Sequence, residues 1–289
     1  MPISTEVLER LQNNDKNLIS LDLSGSLLTY DDILLLCQAI AHNTHLKELD
    51  LSDTGIDDAC AQLLANIDNG TLSSLIMNRN PQIGPEGASA FEGNHTYIDL
   101  SFSRNPIGPE GAASLARNPY LKILGLGSCK IGDEGCQAIL ANTNLEEVWL
   151  LFNGITANGF NNILGPHPSL RELHLGFNPL GDEGVRKISD TLAGSPNLIK
   201  LDLRNTNMTD QVALRFEGNR ILEVLDLRSN AIHPQTIQRL RQDFKHHRLF
   251  RSVVPNILQN QLNPDDELTQ QDNEAPVAAL DNSERRVLF

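Results

Sequence analysis

Aromatic residues are scarce in this 289-residue chain: phenylalanine, tyrosine and tryptophan make up 4% of it, with a single tryptophan. A place where several aromatics gather therefore carries more information than usual. Positive charge is also short. Lysine and arginine number 23 against 37 acidic residues, a formal charge of −14. That balance argues against nucleic acid, whose phosphates are held by Lys and Arg, and against an anionic membrane surface. A basic or mixed-charge protein is the partner it favours. No apolar run approaches the roughly 18 residues of a membrane helix, and no charged-then-apolar leader opens the chain. The expected location is the cytoplasm. The four cysteines, Cys37, Cys60, Cys129 and Cys136, form no CxxC pair and read as reduced thiols. P-loop, nucleophile elbow and HExxH are all missing, so neither catalysis nor a cofactor nor a metal is expected.

What the chain has is repetition. NLISLDLSGSLL, HLKELDLSDTGI, TLSSLIMNRNPQI, TYIDLSFSRNPI, YLKILGLGSCKI, NLEEVWLLFNGI, SLRELHLGFNPL, NLIKLDLRNTNM and ILEVLDLRSNAI align on LxxLxLxxNxL. The first apolar position falls at Leu18, Leu46, Leu72, Tyr97, Leu121, Leu145, Leu170, Leu198 and Leu222. The steps run from 24 residues (Leu121 to Leu145) to 28 (Leu170 to Leu198), a period of the solenoid kind. The LxL core alternates with period two and predicts a short strand. Asn follows at Asn80, Asn105, Asn153, Asn178 and Asn230, replaced by Ser26, Thr54, Cys129 and Thr206. A small polar side chain there can bond backbone groups as the chain turns. Segments such as IGPEGASAF and IGDEGCQAIL place a Gly and an acidic residue before apolar residues at three- and four-residue spacing, which predicts a helix. One strand and one helix per repeat, stacked sideways, make an α/β solenoid: a horseshoe with a parallel concave sheet and helices on the convex side.

These repeats resemble the leucine-rich repeat family. Their length and helical half are similar to its ribonuclease-inhibitor subtype. The GPEGASAF, GPEGAASLA and GDEGCQAILA segments are similar to the GALA-type repeats of bacterial effector proteins. The expected organisation is an N-terminal capping helix in 1–17, nine repeats over 18–245, a C-terminal cap over 246–258, and an acidic, aperiodic tail over 259–289 that reads as disordered. The tail ends in Val287, Leu288 and Phe289 and is similar to the C-terminal export signals of type IV-secreted effectors. Export by a bacterial secretion system into a host cell is what that likeness implies. The segment 233–254 reads as a last helix plus an incomplete tenth strand and is locally basic, with Arg239, Arg241, Lys245, Arg248 and Arg251 against Asp243. A solvated capping helix is the favoured reading, and a basic face for a membrane or an acidic partner is the alternative.

The repeat predicts which way EVWLLFNGI, residues 147–155, faces. With the first Leu as position 1, positions 4 and 6 (Val148, Leu150) point into the core. Positions 3, 5 and 7 then point to the concave face. Trp149 and Leu151 are expected to face solvent there, with Phe152 at position 8 on the rim. Neighbouring repeats add His174 and Phe177. Gly125, Gly127 and Gly176 are expected to leave hollows beside them. Glu146, Glu147, Glu172, Arg79, Arg104, Arg204 and Arg228 stand around this centre. An apolar middle with a charged rim is the layout of a protein-binding hot spot. The bland alternative is that Trp149 lies flat on its neighbours and fills the space the glycines leave. His174, near Glu147 and Glu172, reads as a polar contact to a partner, since no second His or Cys accompanies it in these columns.

The expected function is a non-catalytic binding module whose concave face grips, and inhibits or masks, one protein partner. The resemblance adds an effector that acts on a host protein or on another effector enzyme. The alternative is a recruiting adaptor that bridges two proteins through the repeats and the tail.

Overall fold

A computed structural model describes residues 3–243. The expected C-terminal cap over 246–258 and the tail over 259–289 lie outside the described residues. Nine strands, β1 (Ser20–Asp22), β2 (Glu48–Asp50), β3 (Ser74–Ile76), β4 (Asp99–Ser101), β5 (Ile123–Gly125), β6 (Glu147–Trp149), β7 (Glu172–His174), β8 (Lys200–Asp202) and β9 (Val224–Asp226), form one sheet in chain order. Every pairing is parallel. The register is that of the repeat: Leu21, Leu49, Leu75, Leu100, Leu124, Val148, Leu173, Leu201 and Leu225 stand in one row. All nine are buried. They join the first apolar position of each repeat and the helical apolar residues in one continuous core, each such side chain stabilising the fold by about 1.5–3 kcal/mol.

Helices α1 (Thr5–Gln12), α2 (Tyr30–Ile40), α3 (Asp58–Ala65), α4 (Pro85–Ser89), α5 (Gly108–Ala116), α6 (Gly132–Ala141), α7 (Gly181–Asp190), α8 (Asp210–Ala213) and α9 (Pro234–Asp243) connect or flank the strands. Ser4 caps α1 by accepting the Val7 N–H. Thr29 and Asp32 form a capping box on α2. The sixth repeat differs: its helical half is a single 3-10 turn, Ala157–Phe160. Its sequence, ANGFNNILGPHP, is rich in Gly, Asn and Pro, the poorest helix formers. In α5 and α6 a glycine lets adjacent helices approach. A Cβ on Gly111 would stand 3.2 Å from Ala88 Cβ in α4, and one on Gly135 would stand 3.1 Å from Ala112 Cβ in α5.

Two ladders of polar side chains stitch repeat to repeat inside the core. The first is the Asn of the repeat. Asn153 Nδ2 donates to Leu126 O at 2.7 Å, and its Oδ1 accepts from Cys129 N at 2.9 Å. Asn178 does the same one repeat on, toward Leu150 O and Asn153 N. Thr54 and Cys129 fit the ladder through Thr54 Oγ1 to Leu51 O and Cys129 Sγ to Phe102 O. The second ladder lies three residues before the first apolar position. Asn43, Asn69, Asn94, Asn118, Asn142 and Asn219 each accept from the backbone two or three residues on and donate to a carbonyl of the preceding repeat or cap. His167 replaces Asn in this row. Its Nδ1 accepts from Leu170 N, and its Nε2 lies 3.0 Å from Asn142 O. Breaking such a buried bond costs about 1–3 kcal/mol.

Candidate protein-binding face

Trp149, Leu151 and His174 do lie on the side of the sheet opposite Val148 and Leu150, but they do not face solvent. Trp149 is 4% exposed, Leu151 3% and His174 2%. The cause is lateral packing along the concave face. The rings of Trp149 and His174 stack at 3.5 Å with 5° between planes, and the Lys200 ammonium stands 5.6 Å from the Trp149 ring. The bland alternative therefore describes Trp149, and His174 offers no edge to a partner. Trp149 Nε1 is buried without a hydrogen-bond partner. The hollows expected at Gly125 and Gly176 are also filled. A Cβ on Gly125 would meet Ser101 Oγ at 2.5 Å, and one on Gly176 would meet both Asp202 carboxylate oxygens at 3.2 Å.

His174 belongs instead to a ladder of ionisable side chains across β7, β8 and β9. Lys200 Nζ lies 3.2 Å from Glu172 Oε2, which is 3.3 Å from His174 Nε2; His174 Nδ1 is 3.8 Å from Asp202 Oδ2. Arg204 grips Asp202 with two donors, at 3.0 and 2.8 Å, and reaches Asp226 at 3.4 Å. Arg228 grips Asp226 in the same way. Burial alone would push the Asp202 carboxyl up, but the His174 hydrogen bond and the Arg204 charge outweigh it and hold it well below the usual range. Burial likewise pushes the Glu172 carboxyl up, but the His174 hydrogen bond and the Lys200 charge outweigh it and lower its pKa. So Arg204 and Arg228 are tied to their own strands. The pairing was legible: Asp at position 5 and Arg at position 7 share one face of a strand. In the earlier repeats Asn78 Oδ1 accepts from Ser101 Oγ and Ser103 N, and Ser74 donates to Asp99. Most of this polar surface is satisfied internally. Glu147 is half-buried beside it.

The rim at the strand ends is different. Phe152 is 54% exposed. Its ring stacks on Phe177 at 4.2 Å, and the Arg204 guanidinium lies 5.8 Å from the Phe177 ring on the next repeat. Along the same rim stand Ser128, the exposed Arg104 and the half-buried Arg79. Of the residues expected around the binding centre, the structure thus sets Arg79, Arg104, Phe152 and Phe177 on an accessible edge. It folds Trp149, Leu151, His174, Glu172, Arg204 and Arg228 into the face's own packing.

No group of His, Cys, Asp and Glu among the described residues is placed to hold a metal. Burial pushes the Cys129 thiol up to about 12 and the Cys60 thiol up to about 11, which leaves both protonated and unreactive. No described helix is long and apolar enough to cross a membrane.

The family model "Leucine Rich repeat" matches residues 42–65, 68–91, 94–116, 117–140 and 167–189. Among solved structures, an internalin (inlF) from Listeria monocytogenes is 19% identical, over 83% of this chain and 62% of that one, with a TM-score of 0.56. The actin-binding site 2 of leiomodin-1 is 29% identical over 44% of this chain and 80% of that one, at a TM-score of 0.39. A chain of the yeast Rad7–Elc1 complex is 16% identical over 81% and 73%, at 0.48. No curated protein matches the chain.

Proposed function

We propose that this leucine-rich repeat solenoid is a non-catalytic protein-binding module. It grips a protein partner along its concave side, at the rim of Arg79, Arg104, Phe152 and Phe177. One observation carries the reading: Phe152 is exposed and stacked on Phe177 in a chain with few aromatics. Exposed aromatic and arginine anchors on one edge are the usual composition of an interface centre. A partner held across this rim has its own surface covered, which favours masking or inhibition. The helical half of most repeats supports the ribonuclease-inhibitor subtype. The GPEG and GDEG segments support the likeness to GALA-type effector repeats. An effector role rests on that likeness and on the sequence of residues 259–289.

The adaptor reading draws on the convex side. Where the sixth repeat lacks its helix, a cavity of about 570 Å³ opens between Gln137, Ala141, Leu164, Pro166 and His167. Leu164 beside it is 94% exposed. A second partner there would leave the rim free for the first.

The test is a paired pull-down with the wild-type chain and Phe152→Ala, matched for folding by circular dichroism. A hot-spot aromatic is worth about 2 kcal/mol or more, so a partner seated on the rim is depleted from the variant. Identical partners on both baits would sink the rim as the site.

A further inference from the structure

Each eighth-position residue from Asp53 to Ser229 has a left-handed backbone, with φ between 48° at Asn205 and 66° at Arg104. That conformation costs a non-glycine residue about 1–2 kcal/mol, least for Asn and Asp. Asp53 and Asn205 suit it. Arg79, Arg104, Phe152 and Phe177 are large side chains set on a disfavoured backbone, and Arg104 and Phe152 recover little by burial because both stand exposed. The same backbone recurs at the end of every strand from β2 to β9, so the repeat imposes it and the eighth positions form one row.

The two arginines differ from most of the described arginines. Arg117, Arg204, Arg215, Arg228 and Arg239 each sit on a carboxylate. Among the described residues no carboxylate forms an ion pair with Arg79 or Arg104, and Arg79 Nε is buried without a hydrogen-bond partner. They also act on each other: burial first, and then the Arg79 charge, lowers the Arg104 pKa. Two adjacent guanidiniums without counter-ions, in a chain of net charge −14, form a local seat for anions and favour planar, two-oxygen groups.

Spacing sets what else the ligand carries. Arg104 and Phe152 follow β4 and β6, two strand intervals apart, so about 10 Å separates their places on the rim. An extended peptide covers that in about three residues. Ser128 between them is too short to fill the step. Phe177 covers one face of the Phe152 ring, and the ring is otherwise accessible.

On the premise that the rim is the binding site, we propose that its ligand is an extended acidic segment of another protein. Neighbouring Asp or Glu carboxylates lie on Arg79 and Arg104, and an apolar side chain about three residues along lies against Phe152.

A phage-displayed library of random dodecapeptides, panned on the full chain, tests this. The expected consensus has two neighbouring acidic residues and an aromatic or aliphatic residue about three positions away. A synthetic consensus peptide binds the Arg79→Gln/Arg104→Gln variant about tenfold more weakly or worse, and binding to wild type weakens with salt. An apolar consensus that binds the double variant as well as wild type overturns the acidic segment and leaves the rim standing. A peptide indifferent to both the double variant and Phe152→Ser overturns the rim itself. No enrichment, beside a pulled-down partner that depends on Phe152, replaces the linear segment with a folded surface. Tighter peptide binding after deletion of 259–289 makes this chain's own tail the occupant and overturns a ligand on another protein.

Discussion

Trp149 points away from the Val148–Leu150 core yet is 4% exposed, because the His174 ring covers it at 3.5 Å. Its energetic role is therefore packing, and its being the sole tryptophan makes this measurable. Its fluorescence is expected to be blue-shifted in the native state and poorly quenched by acrylamide. Two substitutions separate ring from indole N–H. Trp149→Ala removes the stacked ring and is expected to destabilise by about 3 kcal/mol or more. Trp149→Phe keeps an aromatic ring on His174 and removes a buried donor that has no partner, so it is expected to lose much less. Urea titration of both variants checks this. Equal losses would mean the Trp149 N–H has a partner after all, and strong quenching of the native fluorescence would mean the indole is open to solvent.

The charge ladder over β7, β8 and β9 acts as an element, since Glu172, His174, Asp202 and Arg204 each reach a partner in a neighbouring repeat. Asp202 serves Arg204 and His174, and Glu172 serves His174 and Lys200. Both carboxyls are held below their ordinary pKa in the fold. Their contribution is present above the unfolded values of about 4 and drains as pH falls toward the folded values. The expected outcome is a loss of stability between about pH 5 and pH 2 on the order of 2 kcal/mol from Asp202. Asp202→Asn should be less stable at neutral pH and show a shallower loss through the acid range. Parallel stability–pH curves for the two proteins would remove Asp202 as the cause. Much of this element was legible. The period-two pattern and the repeat spacing placed every strand and its register, and the Asp–Arg spacing held the pairing. The second polar ladder was equally periodic, but it falls before the LxL stretch and is interrupted by His167 and Ser195. What columns of residues do not encode is how side chains lie. Trp149 lies flat on His174, and Ser101 leans over Gly125; the choice depends on neighbours from three strands at once. So the rim residues Phe152 and Arg104 were readable as exposed, whereas the burial of Trp149, Leu151 and His174 was not.

Across the whole molecule, strands pair with the repeats before and after them in chain order, so coupling between distant repeats passes through the interfaces between. Such arrays behave as a row of units joined by nearest-neighbour terms. Asn153 sits at one of these joints: it donates to Leu126 O, and its N–H is held by Asn178 Oδ1 at 2.8 Å. The sixth repeat also lacks a full helix to bridge its neighbours. Asn153→Ala deletes the joint's buried bonds, at a cost of about 1–3 kcal/mol, and concentrates that loss in the middle of the row. Two probes then report different things. Trp149 fluorescence reads the centre, while far-ultraviolet circular dichroism reads helices along the whole row. In the wild type the two urea transitions are expected to coincide. In Asn153→Ala the fluorescence midpoint should fall below the dichroism midpoint, because the centre opens while the outer repeats hold. If both midpoints shift together, the nearest-neighbour picture fails at this length. The solenoid would then unfold as one cooperative unit, and a ligand seated on the rim at Phe152 would stabilise every repeat equally instead of the middle ones first.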